Sequence, residues 1–177
     1  MLIAVVTISD RASRGQYEDL SGPAVEVWLQ ETITTPFELV RRVIPDGIAN
    51  VRDTLLFLCD ELHADLILTT GGTGPAPRDV TPEAMREVVT RELPGFGEQL
   101  RRAGLEQTPT AILSRQMAGT RGKTLIINLP GKPGSITVGL NAIFAAVPYC
   151  LDLIGAGWMD TDPARIRAFR PTTPPST

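Results

Sequence analysis

Four short apolar runs, each ending in a loop of glycine, proline and charged residues, constrain the fold of this chain more than any other feature. They occupy residues 2–8, 37–44, 65–70 and 124–129. None alternates strictly between apolar and polar positions, as a strand with one wet face would. Such runs predict strands covered on both faces, and therefore a mostly parallel sheet. The segments between them carry helical spacing. Pro23 opens a helix over residues 23–33, with Val25, Trp28 and Leu29 on one side and Ser21 placed to help cap it. Ile48, Val51, Leu55, Leu58, Cys59 and Leu62 form the clearest amphipathic pattern. Thr81-Pro82-Glu83 starts a helix predicted to reach about Leu93, where Pro94-Gly95 breaks it before another over 96–105. The last helix falls within 135–154 and is kinked or split at Pro148. The order β-α-β-α-β-α-α-β-α is that of an open α/β sheet wound by right-handed crossovers.

The length of 177 residues suits one domain, read as residues 1–157. Residues 158–177 form a tail with Pro163, Pro171, Pro174 and Pro175, expected to run over the surface with its last residues disordered. A net charge of −3 lacks the basic excess of a nucleic-acid binder. Cys59 and Cys150 lie far apart, so neither a disulfide framework nor a Cys/His zinc site is expected, and a reducing compartment fits. The apolar start at residues 1–6 has no basic leader and reads as a strand, and the apolar stretch 142–154 is too short to span a bilayer. These features predict a cytoplasmic protein with no membrane partner.

In open α/β sheets, ligands bind beyond the carboxyl ends of the strands. The first strand is followed by Ser9-Asp10-Arg11-Ala12-Ser13-Arg14-Gly15 and the second by Pro45-Asp46-Gly47. After the third come Gly71-Gly72-Thr73-Gly74 and then Pro77-Arg78-Asp79-Val80-Thr81-Pro82; after the fourth, Pro130-Gly131-Lys132-Pro133. The glycine loop lets backbone N–H groups approach an anion without a Cβ in the way. It is neither a Walker A loop nor a dinucleotide fingerprint, since no Lys-Ser/Thr follows and Pro77 stands where a third spaced glycine belongs. Asp46 and Asp79 could hold a divalent cation bridging nucleotide phosphates, or each could cap the helix that follows it. All but two of the 17 basic residues are arginine, and Arg11, Arg14, Arg78 and Arg115 fall near these loops. The doublets Arg41-Arg42 and Arg101-Arg102 read as solvated faces. His63, the single histidine, sits at a helix end where its charge is accommodated, and Trp28 and Phe96 read as core. Classical triad chemistry has no residues to use.

Taken together, Thr7-Ile8-Ser9-Asp10-Arg11, Thr70-Gly71-Gly72-Thr73-Gly74, Pro77-Arg78-Asp79-Val80-Thr81-Pro82, Pro94-Gly95-Phe96-Gly97, Ile112-Leu113-Ser114-Arg115 and Asn128-Leu129-Pro130-Gly131 resemble the MogA/MoaB family. These are the molybdopterin adenylyltransferases of molybdenum cofactor synthesis, related to the G domain of gephyrin. The resemblance spans roughly residues 3–170. It implies a three-layer α/β/α sandwich, a homotrimer, and Mg²⁺-dependent transfer of AMP from ATP to the terminal phosphate of molybdopterin. It also implies a transient contact with a molybdenum-insertion protein. By motif, Asp46 and Asp79 match the family's essential aspartates, with Asp46 assigned toward Mg²⁺ and Asp79 toward the reacting groups. Gly71, Gly72, Thr73, Gly74 and Arg78 would cradle the nucleotide phosphates. Ser114 and Arg115 would hold the pterin phosphate, Pro130 and Gly131 would wall the pocket, and Ser9 and Asp10 would border it. Between Pro133 and Phe144 the chain is shorter than members of the family that carry extra residues there. The alternatives are a non-catalytic molybdopterin-binding scaffold on the same fold, or a related domain acting on other nucleotides.

Overall fold

In the computed structural model, which describes residues 1–171, each apolar run forms a strand and two further strands join them. In chain order the strands are β1 (Leu2–Ile8), β2 (Glu38–Ile44), β3 (Leu66–Thr70), β4 (Arg91–Glu92), β5 (Ala118–Arg121) and β6 (Thr124–Leu129). The helices are α1 (Asp10–Ser13), α2 (Ser21–Thr32), α3 (Ile48–Leu56), α4 (Thr81–Val88), α5 (Pro94–Leu105), α6 (Pro133–Ile143) and α7 (Val147–Ile154). The strands form one sheet in the order β2-β1-β3-β6-β5-β4. β2, β1, β3 and β6 are parallel, while β5 pairs antiparallel to β6 and β4 to β5.

Burial parity makes the three layers. Ile3, Val5, Leu66, Leu68, Leu125 and Ile127 belong to the core under α2, α6 and α7. Ala4, Val6, Ile67 and Ile126 belong to the core under α3 and α4. With apolar side chains leaving both faces of β1, β3 and β6, these strands need helices on both sides, which accounts for their unbroken apolar runs.

Several expectations are corrected. β2 is an edge strand with β1 as its neighbour, and Glu38, Arg41, Arg42 and Val43 are exposed, so it is not covered on both faces. Its charges discourage pairing with another chain. The helix predicted to reach Leu93 stops at Val88. Beyond it, the N–H groups of Thr90 and Leu93 donate to the carbonyls of Thr120 and Ala118, so sheet pairing replaces helix. The long amphipathic pattern ends as α3 plus one π-helical turn, Phe57–Glu61. Ser21 is the first residue of α2 and not its cap: the Asp19 carboxylate accepts the N–H groups of Ser21 and Gly22, at 3.1 and 2.9 Å.

The last helix splits as expected, but at a 3₁₀ turn over Phe144–Ala146 that leaves Pro148 in the first turn of α7. There a missing N–H costs no hydrogen bond. Phe144 packs edge-on against Trp28 with centroids 4.6 Å apart, fixing the end of α6 on α2. The segment Pro133–Ile154 is long and apolar enough to cross a membrane by composition, yet it is two helices packed on the sheet. The tail is not wholly superficial, because Met159 is fully buried and Ile166 nearly so. The expected disorder of the last residues falls on 172–177, outside the described residues.

Candidate functional site

The sheet reverses its winding direction between β1 and β3, and the loops at their carboxyl ends part to leave a crevice. The cavity there has a volume of about 370 Å³. It gathers residues from four strand ends: Ser9, Asp10 and Arg11 after β1, Asp46 after β2, Gly71–Gly74 with Arg78 and Asp79 after β3, and Gly131 after β6. Ser9 caps α1 by accepting the Ala12 N–H at 3.3 Å, which turns Asp10 toward β2. Asp10 and Asp46 are then joined reciprocally. The Asp10 N–H donates to Asp46 Oδ2 and the Asp46 N–H donates to Asp10 Oδ1, each at 3.2 Å.

The glycine loop is held from below. Gly71 and Gly72 have φ of +98° and +64°, a region that side-chain-bearing residues avoid. A Cβ on Gly71 would lie 2.4 Å from the Ile8 carbonyl oxygen, so the loop crosses β1 at a distance glycine alone permits. Thr81 Oγ1 donates to the Gly71 carbonyl at 3.0 Å, tying the loop to the start of α4.

Neither aspartate is a helix cap. The cap positions are Gly47 for α3 and Val80 for α4, with no side-chain hydrogen bond at either. The Asp79 carboxylate instead accepts the Ala76 N–H at 3.1 Å, within its own loop. Arg11 and Arg78 line the same cavity and form no ion pair among the described residues. The crevice thus brings guanidinium groups free of ion pairs, the glycine loop and the carboxylates of Asp10, Asp46 and Asp79 together. Groups of these kinds can meet a polyphosphate and its counter-cation. Among the described residues, no three His, Cys, Asp or Glu side chains converge to form a metal cage. The donor set fits an ion held by one or two carboxylates and completed by phosphate oxygens, as Mg²⁺ commonly is.

Three of the expected site residues lie elsewhere. Ser114 and Pro130 line a second, more apolar cavity of about 430 Å³ together with Leu100, Leu113 and Val138. Thr73 and Gly74 border both cavities, so the glycine loop is the wall between them. Arg115, expected to hold the pterin phosphate, has its guanidinium engaged within the protein. Its Nε donates to the Gly74 carbonyl at 2.9 Å, its Nη2 to the Asp79 carbonyl, and both Nη atoms to the Glu83 carboxylate. The Arg115 N–H also donates to the Thr73 carbonyl. With its fork occupied in this way, Arg115 acts as a brace behind the loop that carries Asp79. Hydrogen bonding from Arg115 holds the Glu83 carboxyl below its ordinary range.

The sequence reading missed the floor of the crevice. Asp19 accepts from Thr7 Oγ1 at 2.9 Å, from the Ser21 hydroxyl and N–H, from the Gly22 N–H, and from Arg41. Ser21 Oγ in turn contacts Thr70 Oγ1 at 2.9 Å. Burial pushes the Asp19 carboxyl up, but these donors outweigh it and hold it below the usual value. An Asp-x-Ser step just before a Gly-Pro helix start was the available sign.

Comparison with known proteins agrees with this geometry. Residues 4–149 match the family described as a probable molybdopterin binding domain. The chain is 52% identical over 169 residues to the molybdopterin adenylyltransferase of Helicobacter pylori strain J99, covering 96% of each. It is 51% identical over 181 residues to that of Escherichia coli K12, covering 96% of this chain and 93% of the relative. Among solved structures, the molybdopterin biosynthesis enzyme MoaB from Thermus thermophilus superposes with a TM-score of 0.80 at 42% identity, covering 89% of this chain and 98% of that one. The match of residues 4–149 to that family, on a chain this similar to its relatives along nearly its full length and with a crevice at the switch point of a mostly parallel sheet, places the protein in the molybdopterin adenylyltransferase family.

Proposed function

We propose that this protein is a molybdopterin adenylyltransferase, which moves AMP from ATP to the terminal phosphate of molybdopterin and releases pyrophosphate. A terminal phosphate oxygen attacks the α-phosphorus, an O–P bond forms, and the bond to the β-phosphate oxygen breaks with its electron pair leaving on pyrophosphate. The nucleophile is already anionic, so no strong general base is needed. The barrier is lowered by alignment and by cancelling negative charge. Gly71–Gly74 and Arg78 would take the nucleotide phosphates in the crevice. Asp46, with Asp10 beside it, would hold Mg²⁺, which when bound neutralises phosphate charge. Asp79 would orient the reacting phosphates from the loop that Arg115 braces. The apolar cavity beyond Thr73 and Gly74, with Ser114 and Pro130 in its wall, would take the pterin. Reaction would then occur across the glycine loop.

The observation that carries this reading is the meeting of Asp46, Asp79 and the glycine loop in one crevice, with neither aspartate spent on a helix cap. A scaffold that only binds the pterin has no need of them there, and the full-length relatives carry an enzyme's name. The test is Asp46→Ala and Asp79→Ala. Each is expected to melt like the parent protein and to lose transfer by at least a hundredfold; full activity in either would remove the positioning model. A homotrimer, action in the cytoplasm and transfer of the product to a molybdenum-insertion protein complete the proposal. Ile112, Leu113, Leu153, Trp158 and Phe169, all more than half exposed, supply apolar surface for such contacts.

A further inference from the structure

The nucleotide crevice is polar, yet one aromatic ring stands in its wall. Tyr17 lines the cavity and is 52% exposed, an unusual position for a ring with no visible partner beyond one arginine. Its place is set by the backbone. The short helix α1 ends in a turn where the Gly15 N–H donates to the Ala12 carbonyl at 3.0 Å and the Gln16 N–H to the Arg11 carbonyl at 2.9 Å. Gly15 takes the left-handed conformation, φ +68°, that this helix ending requires. The turn reverses the chain and brings Tyr17 back over Arg11, whose guanidinium carbon lies 5.2 Å from the ring centroid. Asp19, two residues on, fastens the other side of this segment to Thr7 and to the start of α2. A ring anchored on both sides by ordered backbone gives up little freedom when a ligand packs on it.

We propose that Tyr17 is the platform on which the nucleobase of the triphosphate stacks, with Arg11 steadying the ring and adding positive charge beside the phosphates. This deepens the reading of the crevice as the nucleotide site and rests on it. The glycine loop and Arg78 supply contacts for phosphates, but phosphates are common to every nucleotide and to pyrophosphate. Tyr17 is the only aromatic residue among those lining the cavity, and it offers the base a flat apolar surface. Aromatic stacking is tolerant of base identity, so the platform contributes affinity for a base in general. The pterin has its own, more apolar cavity on the far side of Thr73 and Gly74.

The test compares binding of Mg²⁺-ATP and of Mg²⁺-bound inorganic triphosphate by calorimetry, for the parent protein, Tyr17→Ala and Tyr17→Phe. Stacking predicts that Tyr17→Ala weakens ATP binding about tenfold and leaves triphosphate binding within about twofold, with Tyr17→Phe restoring the ATP affinity. Equal ATP affinity in the parent protein and Tyr17→Ala overturns the platform and leaves the nucleotide site standing. Equal weakening of ATP and triphosphate also overturns it, since the ring would then be shaping the loop and not meeting the base. A parent protein that binds neither ligand overturns the nucleotide reading of the crevice, and the platform with it.

Discussion

Gly74→Ala separates the fold from the chemistry. Gly74 does not use a left-handed conformation, so alanine is tolerated by its backbone. Its added Cβ would, however, stand 2.7 Å from Asp79 Oδ2 and 3.6 Å from Asp79 Cγ. To regain the 3.4 Å of ordinary contact the carboxylate must retreat by about 0.7 Å. It then loses the exposed hydrogen bond from the Ala76 N–H, a cost of about 1 kcal/mol, or roughly 2–4 °C in Tm for a chain of this size. The catalytic cost is larger. If Asp79 aligns the reacting phosphates as proposed, a displacement near 1 Å is worth on the order of a hundredfold in rate. The assay is transfer of label from α-labelled ATP to molybdopterin, run beside a thermal melt. Gly95→Ala, whose added Cβ meets nothing within 4 Å, is the control expected to match the parent protein in both. Gly74→Ala with kcat/KM within threefold of the parent protein and a slightly lowered Tm would refute the argument, since Asp79 would have moved without consequence.

Gly71→Ala is the opposite case: the clash is with the Ile8 backbone carbonyl and φ is +98°, so a loss of about 3 kcal/mol or more of folding stability is expected in urea titration. Arg115→Lys cannot reproduce the fork to Gly74, Asp79 and Glu83, and should cost about 1–2 kcal/mol of stability. Unchanged stability with weakened molybdopterin binding would instead return Arg115 to a phosphate-holding role. Asp19→Asn should lower stability by about 1–2 kcal/mol at pH 7. Because the folded-state carboxyl lies below the ordinary 3.8, its contribution is present above that value and fades as pH falls through the folded one, so the gap between parent and variant urea curves should narrow as the pH is taken below 3.8. Cys59 is buried and its thiol is pushed up to about 11, so it should resist a thiol reagent at pH 8 until the chain unfolds, as absorbance of the released thiolate would show.

The parts of the fold buried on two faces were legible because burial forces one kind of side chain into unbroken runs. β1, β3 and β6 and the loops after them could be placed from that alone. β4 and β5 could not. Arg91-Glu92 is two exposed charged residues, and in Ala-Gly-Thr-Arg only the threonine favours a strand; β5 forms because β6 offers an edge and Gly122-Lys123 closes a tight hairpin, and β4 forms on the edge of β5. β2 reads as buried by composition but lies at the sheet margin, because position in a sheet is a tertiary fact. In the site, chain order after each strand end was enough to bring Ser9, Asp10, Asp46, Gly71–Gly74, Arg78, Asp79 and Gly131 to one crevice. Ser114 and Arg115 follow a helix and a 3₁₀ turn, so nothing local says which side of the glycine loop they occupy. For Arg115 the deciding partner, Glu83, is 32 residues away in the chain. Asp19 was hidden for the opposite reason, as an ordinary loop acid whose five donors come together only in the folded chain.

Parallel reactions with α-labelled and γ-labelled ATP follow the proposed transfer of AMP from ATP to molybdopterin across the glycine loop. The purified protein, molybdopterin and Mg²⁺ should move the α-label onto the pterin, leave the γ-label in pyrophosphate, and do neither once Mg²⁺ is chelated. Pterin that is retained by the protein but never acquires the α-label, under conditions where an established adenylyltransferase labels it, would contradict the account.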